Sequence, residues 1–159
     1  MNEIELIVEM LRETFDGRAW HGPSLMDVVS GVDKTQAIAR PIRTGHTIWE
    51  IVDHCSFWME AVANALHGER MPDIESAEDW AKMGKTDEDW TNAQERLKRA
   101  CDELVNSTKG LSEAQLTQKA QGSYNGQPYA TAYRRMLHGI SDHNTYHAGQ
   151  IALLRKKTV

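Results

Sequence analysis

Two histidines four residues apart are the strongest chemical signal in the sequence. His143 and His147 share one face of any α-helix that contains them, so both imidazoles can reach one metal ion. That face is otherwise apolar, with Met136, Ile140 and Leu154 at the same 3-4 spacing. Burying imidazoles costs free energy unless their nitrogens find partners. The pair is therefore either two metal ligands or two core histidines that bond to each other, to a nearby Tyr or to water.

A third histidine could complete such a site. His54 lies three residues after Ile51 and four before Trp58, at the edge of an apolar helical face. A single histidine there can also be a satisfied core residue. Joined with the other two across a helix bundle, it gives three neutral ligands and leaves coordination positions open, as in catalytic zinc sites. The remaining histidines fit turn, packing or surface roles: His21, His46, His67 and His138.

Four amphipathic helices position these residues. The apolar spacing predicts helices over about residues 3–15, 47–66, 86–110 and 128–156, with a short helix at 24–30 and no strand. Thr47 and Glu50 form a capping box at the second long helix, and Gly68 stops it. Pro128 suits the first turn of the last helix. The prediction is an all-α fold, a four-helix bundle formed by a single domain over residues 1–159.

Composition narrows the classes of function. The 159 residues carry a net charge of -5, which argues against a nucleic-acid partner. No apolar run is long enough for a bilayer, and the acidic first turn does not resemble a signal peptide. Cys55 and Cys101 fall at apolar helical positions and are expected to be reduced and buried. The expectation is a cytoplasmic protein with a small-molecule substrate.

Two segments resemble the signatures of the DinB-like (YfiT-like) superfamily. Residues 45–54 (GHTIWEIVDH) are similar to its second-helix motif, and residues 138–151 are similar to its last-helix motif H-x-x-Y-H-x-G-Q-I. The resemblance implies a four-helix bundle of up-down-down-up topology and a homodimer. It also implies one divalent ion per chain, zinc or nickel, bound by His54, His143 and His147. Gln150 matches the glutamine of the family motif and could orient a ligand.

The resemblance leaves the reaction open among three hypotheses. The superfamily includes thiol-dependent S-transferases, in which the metal activates a low-molecular-weight thiol. The hypothesis that this protein is such a transferase is slightly favoured, because no evident general base accompanies the histidines. A hydrolase acting through metal-activated water would need such a base. Glu50 is a weak candidate for it, because the same carboxylate is predicted to cap the second long helix. Gln150 is an equally weak catalytic candidate. The third hypothesis is a metal-binding dimeric scaffold without activity.

Overall fold

Helices form most of the chain in the computed structural model, which describes residues 1–73, 79–80 and 82–158. The helices, numbered in chain order, are α1 Glu3–Phe15, α2 Leu25–Val29, α3 Lys34–Ile38, α4 Ile48–Leu66, α5 Asp87–Lys109 and α6 Tyr133–Arg155. α1, α4, α5 and α6 are the long helices of the predicted bundle, and α2 is the predicted short helix. No helix of the described residues is both long and apolar enough to cross a membrane.

The predicted capping box at the start of α4 is present. The Thr47 hydroxyl accepts a hydrogen bond from the Glu50 amide at 3.1 Å, and the Glu50 carboxylate accepts one from the Thr47 amide at 2.7 Å. These bonds satisfy two amides that would have no partner inside the helix. The cap fixes the first turn of α4, and therefore the height of His54 along the bundle.

Contacts between side chains define the directions of the long helices. α1 runs parallel to α6, because Glu3 meets Arg134 and Thr14 meets Ser141. α4 runs parallel to α5, with contacts that follow chain order in both helices: Trp49 with Trp90, Glu60 with Arg96 and His67 with Ser107.

The two parallel pairs run in opposite directions. The amide of Glu3, at the start of α1, bonds to Glu113 beyond the end of α5, and Arg12 bonds to Asp102. α6 is likewise antiparallel to α4. Each of α1 and α4 packs against both α5 and α6. The topology is therefore up-down-down-up, and the predicted all-α bundle is confirmed.

The core lies between the four long helices. Its largest fully buried side chains include Phe15, Trp49, Leu97, Leu137 and Ile151. Trp49 is 1% exposed, and its ring packs against Trp90 with 5.2 Å between ring centroids. Trp49 therefore fills the core and does not line a cavity at the histidines. Both cysteines are buried there as well, as expected.

The prediction that α6 begins at Pro128, with no strand before it, is wrong. Strands β1 Lys119–Tyr124 and β2 Gln127–Ala132 form an antiparallel hairpin, and α6 begins only at Tyr133. The hairpin turns at Asn125 and Gly126, whose φ angles of 48° and 72° suit the Asn-Gly pair. Pro128 is tolerated because both strands of a two-stranded sheet are edge strands.

Candidate metal centre

The three predicted histidines lie together between α4 and α6. The antiparallel packing brings His54 of α4 against His143 and His147, which occupy successive turns of α6. One ring nitrogen from each lies within 4.8 Å of the other two, and the Nε2 atoms of His54 and His143 are 2.9 Å apart. His54 and His147 are buried and His143 is half-buried. The geometry is compatible with metal binding, while the assignment of the three as ligands stays a prediction.

All three imidazoles are held in the neutral form. Burial, with a smaller contribution from the neighbouring His147, lowers the pKa of His54 to about 4. Burial lowers the pKa of His143 to about 3, again with contributions from the other two histidines, and it lowers the pKa of His147. A neutral imidazole has one lone pair for a cation, so the cluster can bind a metal ion near neutral pH without first losing protons.

Asp79 determines the tautomer of His54. Its Oδ1 lies 2.6 Å from His54 Nδ1, and its backbone oxygen lies 3.4 Å from the same nitrogen. Both oxygens are acceptors, so Nδ1 carries the hydrogen and the Nε2 lone pair faces the other histidines. Asp79 is buried, and its Oδ1 also accepts a hydrogen bond of 2.6 Å from Trp58 Nε1.

Gln150 fixes the tautomer of His147 in the same way as Asp79 fixes that of His54. Its side-chain oxygen lies 2.6 Å from His147 Nδ1, while its amide nitrogen donates to the Tyr146 hydroxyl at 3.1 Å. His147 Nδ1 therefore donates, and its Nε2 lone pair is available to a ligand. Gln150 thus orients one of the predicted ligands, one of the roles considered for it from sequence. Tyr146 itself is largely exposed.

The donor set fits a divalent transition metal. Two of the three histidines direct an Nε2 lone pair inward and an N–H outward to a side-chain oxygen, which is the pattern of metal-bound histidines and their outer hydrogen-bond partners. Neutral imidazoles suit Zn²⁺ and Ni²⁺ and do not suit Mg²⁺ or Ca²⁺. A cavity of about 150 Å³ reaches His143 from the side of Trp58 and Val62.

A stack of three rings covers one side of the cluster. The Trp80 indole lies parallel to the His54 ring at 4.0 Å between centroids, and His46 stacks on its other face at 3.5 Å. His46 was expected in a turn or capping role; the structure shows it stacked on Trp80, with its Nδ1 3.6 Å from the carboxylate of Glu50. Asp79 and Trp80 were missed by sequence reasoning because they lie in the connection between α4 and α5, where no periodic pattern indicates burial.

Glu50, the acid considered as a catalytic base, has other partners. Besides the cap, it accepts a 2.7 Å bond from Arg40, and its side chain is 18% exposed. The cap and Arg40 hold its pKa below the usual value despite burial. Among the other histidines outside the cluster, His21 and His67 are exposed, as expected. His138, expected to pack or to form a hydrogen bond, is exposed as well.

A Glu50→Ala substitution is expected to weaken the fold and leave metal affinity unchanged. The change removes the reciprocal cap bond and the Arg40 partner, which should lower the free energy of unfolding by about 1 kcal/mol. Denaturant unfolding measures this effect, with the exposed Glu95→Ala as the matched control. Weaker metal binding at unchanged stability would instead place Glu50 in the site.

The fold and the cluster define a class of protein: an up-down-down-up four-helix bundle with three histidines between its second and fourth long helices. Comparison with protein-family models gives the family. The model of the DinB superfamily matches residues 19–151, a range that includes all three histidines and most of the chain. The protein belongs to the DinB superfamily, as its sequence motifs predicted. A comparison with curated proteins finds no match.

Proposed function

We propose that this protein is a metal-dependent enzyme that binds one divalent ion, zinc or nickel, through His54, His143 and His147. The observation that carries the proposal is the pair of hydrogen bonds from His54 Nδ1 to Asp79 and from His147 Nδ1 to Gln150, which leave both Nε2 lone pairs available in a cluster whose ring nitrogens lie within 4.8 Å of one another. Three neutral ligands keep the full charge of the ion available and leave coordination positions for a substrate.

The reaction that we propose is transfer of a low-molecular-weight thiol to an electrophilic carbon. An ion with three histidine ligands supplies Lewis acidity that lowers the pKa of a thiol cosubstrate. The thiol proton leaves to solvent, a carbon–sulfur bond forms, and the leaving group departs with the electron pair of the bond that breaks.

The surroundings of the histidines favour this reaction over hydrolysis. Hydrolysis needs a general base beside the attacking water. Among the described residues, two acids considered for this role already accept hydrogen bonds: Glu50 from the cap and Arg40, and Asp79 from Trp58 and His54. The thiol must come from a cosubstrate, because burial raises the pKa of Cys55 and raises that of Cys101 to about 12.

The test is a turnover assay on untagged protein loaded with zinc or with nickel. A panel of low-molecular-weight thiols is combined with an alkyl or aryl halide, and separately with ester and amide substrates in the absence of thiol. Product formation that requires thiol, metal and His147 together supports the proposal, with His147→Ala and free metal as controls. Hydrolysis without thiol would establish the hydrolase instead, and no turnover in either arm would favour the scaffold.

A further inference from the structure

Asp79 connects the loop between α4 and α5 to the histidine cluster. The side chains of Asp79 and His54 are each 8% exposed, and a single oxygen, Asp79 Oδ1, accepts from both His54 Nδ1 and Trp58 Nε1 at 2.6 Å. Both donors belong to α4 and lie one helical turn apart. The carboxylate therefore spans two turns of the helix that carries a predicted ligand.

The next residue holds the same imidazole from another direction. Asp79 meets the edge of the His54 ring at Nδ1, while Trp80 covers its face at 4.0 Å. The hydrogen bond at the ring edge fixes the tautomer of His54 and limits the rotation of its ring. The stacked indole limits tilting of the same ring. Two consecutive loop residues thus determine where His54 Nε2 points.

We propose that Asp79 is a positioning residue of the metal centre, which acts by holding His54 in the orientation and tautomer that a metal ion needs. The inference rests on the proposed metal binding and extends it to a residue outside the ligand set. Outer carboxylates that accept from a metal-bound histidine raise the basicity of the ligand and its affinity for the ion, typically 10- to 100-fold.

The inference predicts a graded loss of metal affinity. Asp79→Ala removes both hydrogen bonds and is expected to weaken Zn²⁺ binding about 10- to 100-fold. Asp79→Asn keeps an acceptor oxygen but loses the charge, so its loss should be smaller. The matched control is Asp142→Asn, which removes the same charge from an exposed position beside His143. Affinity is measured by competition with a chromogenic chelator.

A double-mutant cycle separates positioning from general loop structure. If Asp79 acts through His54, Asp79→Ala costs no further affinity in a His54→Ala background. The visible spectrum of bound Co²⁺ gives a second readout, and it should change in Asp79→Ala because the ligand geometry changes. Trp58→Phe removes the other donor to Asp79 and should affect Zn²⁺ affinity less than Asp79→Ala does.

The outcomes distinguish the inference from the proposed function. Failure of the wild-type protein to bind Zn²⁺, Ni²⁺ or Co²⁺ overturns the proposed function and this inference with it. Wild-type binding with an unchanged Asp79→Ala affinity, or an Asp79→Ala loss of equal size with and without His54, overturns the inference alone.

Discussion

His147→Ala is expected to reduce metal affinity by more than about 100-fold, because loss of an outer partner alone costs 10- to 100-fold and this change removes a ligand. His147 is 5% exposed, and its ring lies 4.4 Å from that of His143 and 4.7 Å from that of His54. The fold should survive, since the core between the long helices is unchanged. Isothermal titration with Zn²⁺ and circular dichroism measure the two effects.

The matched control for this substitution is His138→Ala on the same helix. His138 is exposed, so the control removes an imidazole from α6 without touching the cluster. Equal metal affinity in His147→Ala and the wild-type protein would remove His147 from the ligand set.

Trp49→Ala is expected to produce the largest loss of stability, about 3–5 kcal/mol in the free energy of unfolding. Trp49 is among the largest fully buried side chains, and its loss leaves a cavity against Trp90 that the surrounding helices fill only in part. Denaturant unfolding of the metal-free protein measures the change.

Trp20→Ala is the control for the loss of an indole, because Trp20 is fully exposed and its removal should change stability by less than about 0.5 kcal/mol. Similar effects of the two substitutions would contradict the assignment of Trp49 to the core. The Trp49 variant should still bind metal at a temperature where it is folded, because its side chain lies outside the cluster.

The long helices and the His143–His147 pair could be predicted from sequence because both follow from helical periodicity. The 3-4 spacing of His143, His147 and their apolar neighbours sets one face of α6, and that face must pack against another helix. The Thr47–Glu50 capping box fixed the beginning of α4 to within one residue. The inclusion of His54 among the predicted metal ligands rests on the family motif more than on residue spacing.

The hairpin and the outer partners of the histidines follow from less regular features. β1 and β2 are short, only half of their residues are exposed, and few of them are large and apolar, so the sequence shows little hydrophobic alternation; Pro128 also fits a helix start. The Asn125-Gly126 pair was the available signal. Asp79 and Trp80 become buried through contacts between a loop and a helix, and such contacts depend on the path of the loop and not on any sequence period.

The most direct test of the metal centre is the metal content of protein purified without an affinity tag and then equilibrated with Zn²⁺ or Ni²⁺. We expect about one ion per chain, because the three histidines can bind a single ion. We also expect that ion to be lost when His143 or His147 is replaced by alanine. Absence of bound metal in the wild-type protein, or equal metal content in the histidine variants, would contradict the proposed site.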